Sequence, residues 1–175
     1  MIARLLALVV FSLVSTSWTD VSKSPFSIAV VPTQSFDHGG TVTMAHDKAG
    51  EFYVVLTNVS AKSQEVFEAW NSWGYQTVSF EFTLSNGKKI VVSRRQHDFT
   101  RNGATTFMIQ PGEHQVFAIR LDQWWEAKPA LRKINEMPIK LKAIYQVLLT
   151  PEATKAGVWI GRTESHDYNL SLRQW

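Results

Sequence analysis

From Val78 to Ser85 the side chains alternate: Val78, Phe80, Phe82 and Leu84 are apolar, and Ser79, Glu81, Thr83 and Ser85 are polar. Successive side chains of an extended chain point to opposite faces, so this stretch is a strand with one face for a core and one for water. Just before it, the run Trp70-Asn-Ser-Trp-Gly-Tyr75 crowds three large rings into one turn. Gly74 stands at the join, where a chain leaving a tight turn calls for a positive φ. An aromatic knot feeding a half-buried strand points to a layered β architecture and names no reaction.

The rest of the chain repeats the rhythm. Phe26 to Val31 reads as a first strand stopped by Pro32, and Thr41 to Met44 as a short edge strand after the turn cluster Asp37-His-Gly-Gly40. Glu51 to Asn58 is apolar on both faces, which suits a central strand. Ser63 to Ala69 reads as one or two helical turns, with Val66, Phe67 and Trp70 at i, i+1 and i+4. Asn86-Gly87 is a type I′ hairpin signal between the strands around Phe82 and Val91. Thr105 to Gln110 and Gln115 to Leu121 flank Pro111-Gly112, the central pair of a type II turn. Pro129 to Asn135 reads as a short helix. Ile139 to Leu148 alternates cleanly, and Pro151 to Gly157 reads as loop. Val158 to Arg162 and Tyr168 to Leu172 form a last strand interrupted near Ser165. About eight or nine short strands with almost no helix predict an all-β, antiparallel sandwich.

The first residues read as an export signal. Met1-Ile-Ala-Arg4 is a positive n-region, Leu5 to Val14 an apolar core, and Ser15-Thr16-Ser17 a small-residue cleavage site. The apolar run is shorter than the ~20 residues that span a bilayer. The expected organisation is a signal peptide at 1–17 and a single sandwich domain at 18–175, exported to the periplasm or the extracellular space, with no integral membrane segment after cleavage. The chain has no cysteine, which excludes disulfides, zinc–thiolate sites and cysteine nucleophiles. A net charge of +3 with dispersed basic residues argues against a nucleic-acid partner.

The pattern Leu141-x-Ala143-x-Tyr145-x-Val147 resembles the F strand of immunoglobulin-like sandwiches, where a tyrosine two residues before the core cysteine makes a tyrosine corner. Val147 stands in the cysteine's place, so an antibody-type disulfide domain is excluded. Trp70-Asn-Ser-Trp-Gly-Tyr-x-x-Val-Ser-Phe-Glu81, Pro111-Gly112-Glu113 and Trp159-x-Gly161-x-x-x-Ser165 together resemble uncharacterised secreted bacterial proteins with an immunoglobulin-like β-sandwich. That resemblance implies an exported sandwich and carries no catalytic or binding residue to transfer.

Candidate chemistry is sparse. His46-Asp47, His97-Asp98 and His166-Asp167, with His38 beside Asp37, supply metal-ligand types, but adjacent residues of an extended chain face apart and no ligand spacing links them. No Gly-x-Ser-x-Gly elbow, phosphate loop or carboxylate pair occurs. The reading is therefore a non-catalytic module, binding or structural, with no cofactor and with a protein or glycan as partner. Its alternatives are a carbohydrate-binding module using exposed tryptophans and a metal-assisted hydrolase using the loop His and Asp residues. The candidate binding residues are Trp124, Trp125, Trp73 and Tyr75, because rings that are not in a core stack on sugars or anchor partners. Trp124 and Trp125, being adjacent, cannot both face inward. Asn58 and Asn169 open glycosylation sequons.

Overall fold

The computed structural model describes residues 24–32, 42–45, 52–100, 102–121, 124–126 and 138–173. The signal at 1–17, the Asp37–Gly40 turn with His38, the His46–Asp47 pair, the Pro129–Asn135 helix and Trp175 lie outside the described residues.

The strands are β1 (Phe26–Pro32), β2 (Val42–Ala45), β3 (Phe52–Asn58), β4 (Gln64–Phe67), β5 (Val78–Thr83), β6 (Lys89–Ser93), β7 (Thr106–Ile109), β8 (His114–Ile119), β9 (Pro138–Val147), β10 (Gly161–Glu164) and β11 (Tyr168–Arg173). Among the described residues two short helices, α1 (Ser72–Tyr75) and α2 (Pro151–Ala156), interrupt them. One sheet runs β2-β11-β9-β5-β6, with β10 also pairing β9; a second runs β1-β3-β8; β4 and β7 form a separate pair. All pairings are antiparallel except β2 with β11. The order β11-β9-β5-β6 opposite β1-β3-β8 matches the G-F-C-C′ and A-B-E arrangement of immunoglobulin-like sandwiches.

The core lies where the alternation puts it. Phe80 and Phe82 of β5 and Leu141, Tyr145 and Val147 of β9 are all buried, as are Phe52, Val54 and Leu56 of β3 in the opposite sheet. Rings meet edge to face across the gap, Phe52 against Phe80 at 5.4 Å and Phe26 against Tyr145 at 6.1 Å. The polar sides face out. Glu81 pairs with Lys89 at 2.9 Å, and Glu164 with Lys142 at 3.1 Å and Arg162 at 2.7 Å. The two cations hold the Glu164 carboxyl below its ordinary pKa. Along one flank, β1 is stitched to the other sheet by hydrogen bonds. The Thr163 hydroxyl donates to the Phe26 carbonyl at 3.0 Å, and the Val30 N–H donates to the Tyr168 hydroxyl at 3.1 Å. Trp159 closes the same end, stacked on Tyr145 at 6.0 Å and edge-on to Phe26 at 5.3 Å. A Cβ on Gly161 would meet its ring at 2.6 Å, which accounts for the Trp-x-Gly spacing.

Four expectations need correction. Gln64–Phe67 is a strand, not a helical turn: it pairs with β7 and buries the adjacent Val66 and Phe67, a burial that helical periodicity had imitated. The segment after Pro151 is a helix, α2, not a loop. The Thr150 hydroxyl caps it by accepting from the Ala153 N–H at 3.1 Å, and Gly157 ends it in the left-handed region at φ 66°. The break expected near Ser165 is present and separates β10 from β11, and the described residues form eleven strands. The hairpin after β5 is not type I′ over Asn86-Gly87. Gly87 N–H donates to the Leu84 carbonyl at 2.9 Å, so Ser85 and Asn86 are the central residues, and Gly87 follows at φ 78° as a bulge. Finally, the Tyr145 hydroxyl bonds the Thr77 side chain rather than backbone a few residues upstream, so no tyrosine corner forms. Burial pushes its pKa above the ordinary tyrosine value. The Pro111-Gly112 turn is as expected, with Gly112 at φ 80° and Glu113 N–H donating to the Gln110 carbonyl at 3.0 Å.

Phe82→Ala should cost about 3–5 kcal/mol, the lost transfer energy plus the cavity. Tyr145→Phe should cost only about 0.5–1.5 kcal/mol, because the Thr77 hydroxyl still donates to the Gly74 carbonyl and nothing is left unpaired. Gly87→Val should cost about 1 kcal/mol or more through strain at positive φ. Urea melts rank the three. A harmless Phe82→Ala would overturn the strand register, since a one-residue slip exchanges the two faces.

Candidate functional site

The aromatic knot is organised by α1, a single helical turn held from both ends. Asn71 is buried; its Oδ1 accepts from the Gly74 N–H at 2.9 Å, and its Nδ2 donates to the Thr105 carbonyl at 2.8 Å. Asn102 brackets the turn by accepting from the Ser72 N–H at 3.1 Å and donating to its hydroxyl at 2.7 Å. Gly74 is required here by proximity rather than by a positive φ. A Cβ at that position would lie 2.1 Å from the Glu68 carbonyl oxygen.

This packing sends the candidate rings apart. Trp73 is half-buried and stacks on Phe67 at 6.2 Å. It lines a cleft of about 180 Å³ together with Gln146, Leu148 and Thr150. Tyr75 turns the other way into a cleft of about 380 Å³, lined also by Gln96, His97 and Phe99. Ser72 and Gln76 line both. Helical residues two apart point to opposite sides, so one turn serves two clefts.

Around Tyr75 the rings form a continuous cluster. Phe99 lies edge-on at 5.5 Å and His97 at 6.0 Å; His97 in turn meets Phe99 at 5.0 Å and Trp124 at 5.5 Å. The Arg94 guanidinium sits over Tyr75 at 4.7 Å and over Trp125 at 4.8 Å. Residues 124–126 dock on the end of β6, with Arg95 N–H donating to the Trp124 carbonyl and Glu126 N–H to the Ser93 carbonyl, each at 2.8 Å. As the alternation of an extended segment demands, one tryptophan enters the core and one stays out. Trp125 is 1% exposed and packs on Phe80; Trp124 is 45% exposed. Of the four candidate residues, Tyr75 and Trp124 share an open surface, Trp73 lines the neighbouring cleft, and Trp125 supports them from the core.

Sequence reasoning missed Phe99, Gln76 and Gln96, and it weighed His97 as a metal ligand or as one half of a His–Asp pair, not as a ring of an aromatic cluster. An aromatic within the polar run after Arg95 was the available signal. The other polar candidates are placed elsewhere. His166 packs on Tyr168 at 4.0 Å, and Asp167 pairs with Lys140 at 3.7 Å. Among the described residues no three His, Asp or Glu side chains gather as a metal site. Asn58 is fully buried, its Nδ2 donating to the Lys62 and Ile109 carbonyls, so this sequon is closed in the folded chain; Asn169 is exposed on β11. No family model matches the chain, and no curated protein matches its sequence.

Gly74→Ala should destabilise the protein by about 1–3 kcal/mol or more, because a backbone carbonyl cannot yield as a side chain can. It should also displace Trp73 and Tyr75, read as a change in near-UV circular dichroism. An unchanged melt and spectrum would show that the Glu68 carbonyl does not press on α1.

Proposed function

We propose that this chain is an exported, non-catalytic β-sandwich that works by binding, in the cell envelope or the extracellular space, and that its binding surface is the ring-lined end of the sandwich at α1. One observation carries the reading. Tyr75, His97, Phe99 and the exposed Trp124 join into one cluster at an open cleft of about 380 Å³. Ligand sites are concave, rich in aromatic side chains and supplied with a few polar groups that fix orientation. Here Ser72, Gln76 and Gln96 provide those groups. The cluster offers hydrogen-bond partners and ring faces. Export rests on the charged, apolar and small-residue succession of residues 1–17. No helix among the described residues is long and apolar enough to cross a membrane.

Two measurements test the proposal. N-terminal sequencing of protein from the native host should begin at or near Trp18; intact Met1 in the cytosolic fraction would sink export. Mature protein should co-sediment with the washed envelope fraction of that host, and the Tyr75→Ala, Trp124→Ala double variant should stay in the supernatant while keeping its unfolding free energy from urea melts within about 1 kcal/mol of the parent. Equal sedimentation of parent and variant would place the binding surface elsewhere.

A further inference from the structure

We propose that the two clefts flanking α1 are subsites of one groove that takes a neutral oligosaccharide across the ridge. This rests on the binding reading above and adds the ligand class and its length.

The chemistry of the lining selects the class. The larger cleft is bounded by Ser72, Tyr75, Gln76, Gln96, His97 and Phe99. The smaller adds the ring of Trp73, the amide of Gln146 and the hydroxyls of Thr77 and Thr150. No Asp, Glu, Lys or Arg lines either one among the described residues. The Arg94 guanidinium lies over both the Tyr75 and the Trp125 ring and is not part of either wall. A phosphate, a carboxylate or a nucleic-acid backbone entering such a groove loses hydration and meets no Lys or Arg among the described lining residues, so anionic ligands are disfavoured. Glutamine amides offer donors and an acceptor on one planar group, a match for paired hydroxyls. Aromatic faces beside them accept the apolar C–H face of a sugar ring. Three amides, several hydroxyls and two outward rings without charge fit a polyhydroxylated, uncharged ligand.

The geometry selects the length. About 380 Å³ lies at the lower end of the roughly 300–1,000 Å³ typical of small-ligand sites, and about 180 Å³ falls below it. Neither cleft encloses more than a short piece of ligand. Ser72 and Gln76 belong to both walls, so a ligand that leaves one cleft over α1 enters the other without leaving polar contact. A chain of several sugar units, with one ring on Tyr75 and another on Trp73, uses the whole groove.

Isothermal titration with gluco-, manno- and chito-oligosaccharides of increasing length tests this on the mature chain. At least one series should gain tenfold or more in affinity between the monosaccharide and the longer members. Trp73→Ala should abolish that gain, and Gln146→Ala, in the same cleft but outside the Phe67 stack, should reduce it. Tyr75→Ala should weaken every member of the series, with Tyr75→Phe restoring it. Affinity that does not depend on length, or a gain untouched by both Trp73→Ala and Gln146→Ala, would overturn the two-subsite groove while leaving a sugar site at Tyr75. Failure of all three series, with envelope sedimentation still dependent on Tyr75 and Trp124, would overturn the glycan and leave a protein partner at the same surface. Loss of sedimentation as well would remove the binding reading itself.

Discussion

The dry contact between β5 and β3 governs this molecule. Phe80 and Phe82 are completely buried, and so are Phe52, Val54 and Leu56 opposite them. Burying one such side chain contributes about 1.5–3 kcal/mol, of the same order as the few kcal/mol by which a domain is stable. The sheet-to-sheet contact therefore sets the register of β5, and β5 sets that of its neighbours on either side, β9 and β6. Trp125 belongs to the same interface, its ring 5.3 Å from Phe80. By anchoring there it holds the 124–126 segment on the end of β6, which is what keeps Trp124 beside His97. The exposed cluster is thus the outer rim of a packing arrangement that begins in the core.

Two buried asparagines do for the loops what the phenylalanines do for the sheets. Asn58, at the end of β3, donates from its amide to the carbonyls of Lys62 and Ile109 and accepts from the Ser60 N–H and hydroxyl. Its own carbonyl accepts from Gly112 N–H at 2.9 Å, tying the Pro111-Gly112 turn to β3. Asn71 plays the corresponding part at α1. A buried amide with its partners removed carries a desolvation penalty of about 1–3 kcal/mol, so each fixes one loop arrangement against its competitors. Both occupy positions that a hydropathy pattern reads as solvent-facing.

That contrast explains what was legible in the sequence. β5 and β9 were readable because an alternating strand that buries one face carries its own register, and Phe80, Phe82, Leu141 and Tyr145 are buried as the alternation requires. Pro111-Gly112 was readable because only glycine accepts its φ of 80° freely. The hairpin at Asn86-Gly87 was located correctly and assigned to the wrong turn: the same dipeptide serves a type I′ turn or a turn followed by a glycine bulge, and the choice is made by pairing beyond the loop. β4 misled because Val66 and Phe67 are adjacent, a spacing compatible with either period, and only β7 decides between them. α2 did announce itself through Thr150, Pro151 and Gly157, a cap, a first-turn proline and a left-handed stop. At the site, the adjacency of Trp124 and Trp125 showed that one had to face outward but not which. Phe99 and His97 reach Tyr75 through folding across some twenty residues, and no local pattern encodes that meeting.

The position of the cluster also limits how it can change. Tyr75 and Trp73 are carried on a helical turn too short to be stable alone, since an isolated helix in water needs about 12–15 residues even with favourable composition. Its geometry comes from Asn71, from the bracket of Asn102, and from the closeness of Gly74 to the Glu68 carbonyl. The rings can therefore be exchanged without loss of the turn, whereas the turn cannot be loosened without moving both rings. Arg94 adds a second constraint on one side only, bridging Tyr75 to the core residue Trp125. Tyr75 is consequently held at its backbone and by a guanidinium over its ring, while the ring contact of Trp73 is with Phe67. The larger cleft is the preorganised half of this surface, and the smaller one is the half better able to adjust to what lies against it.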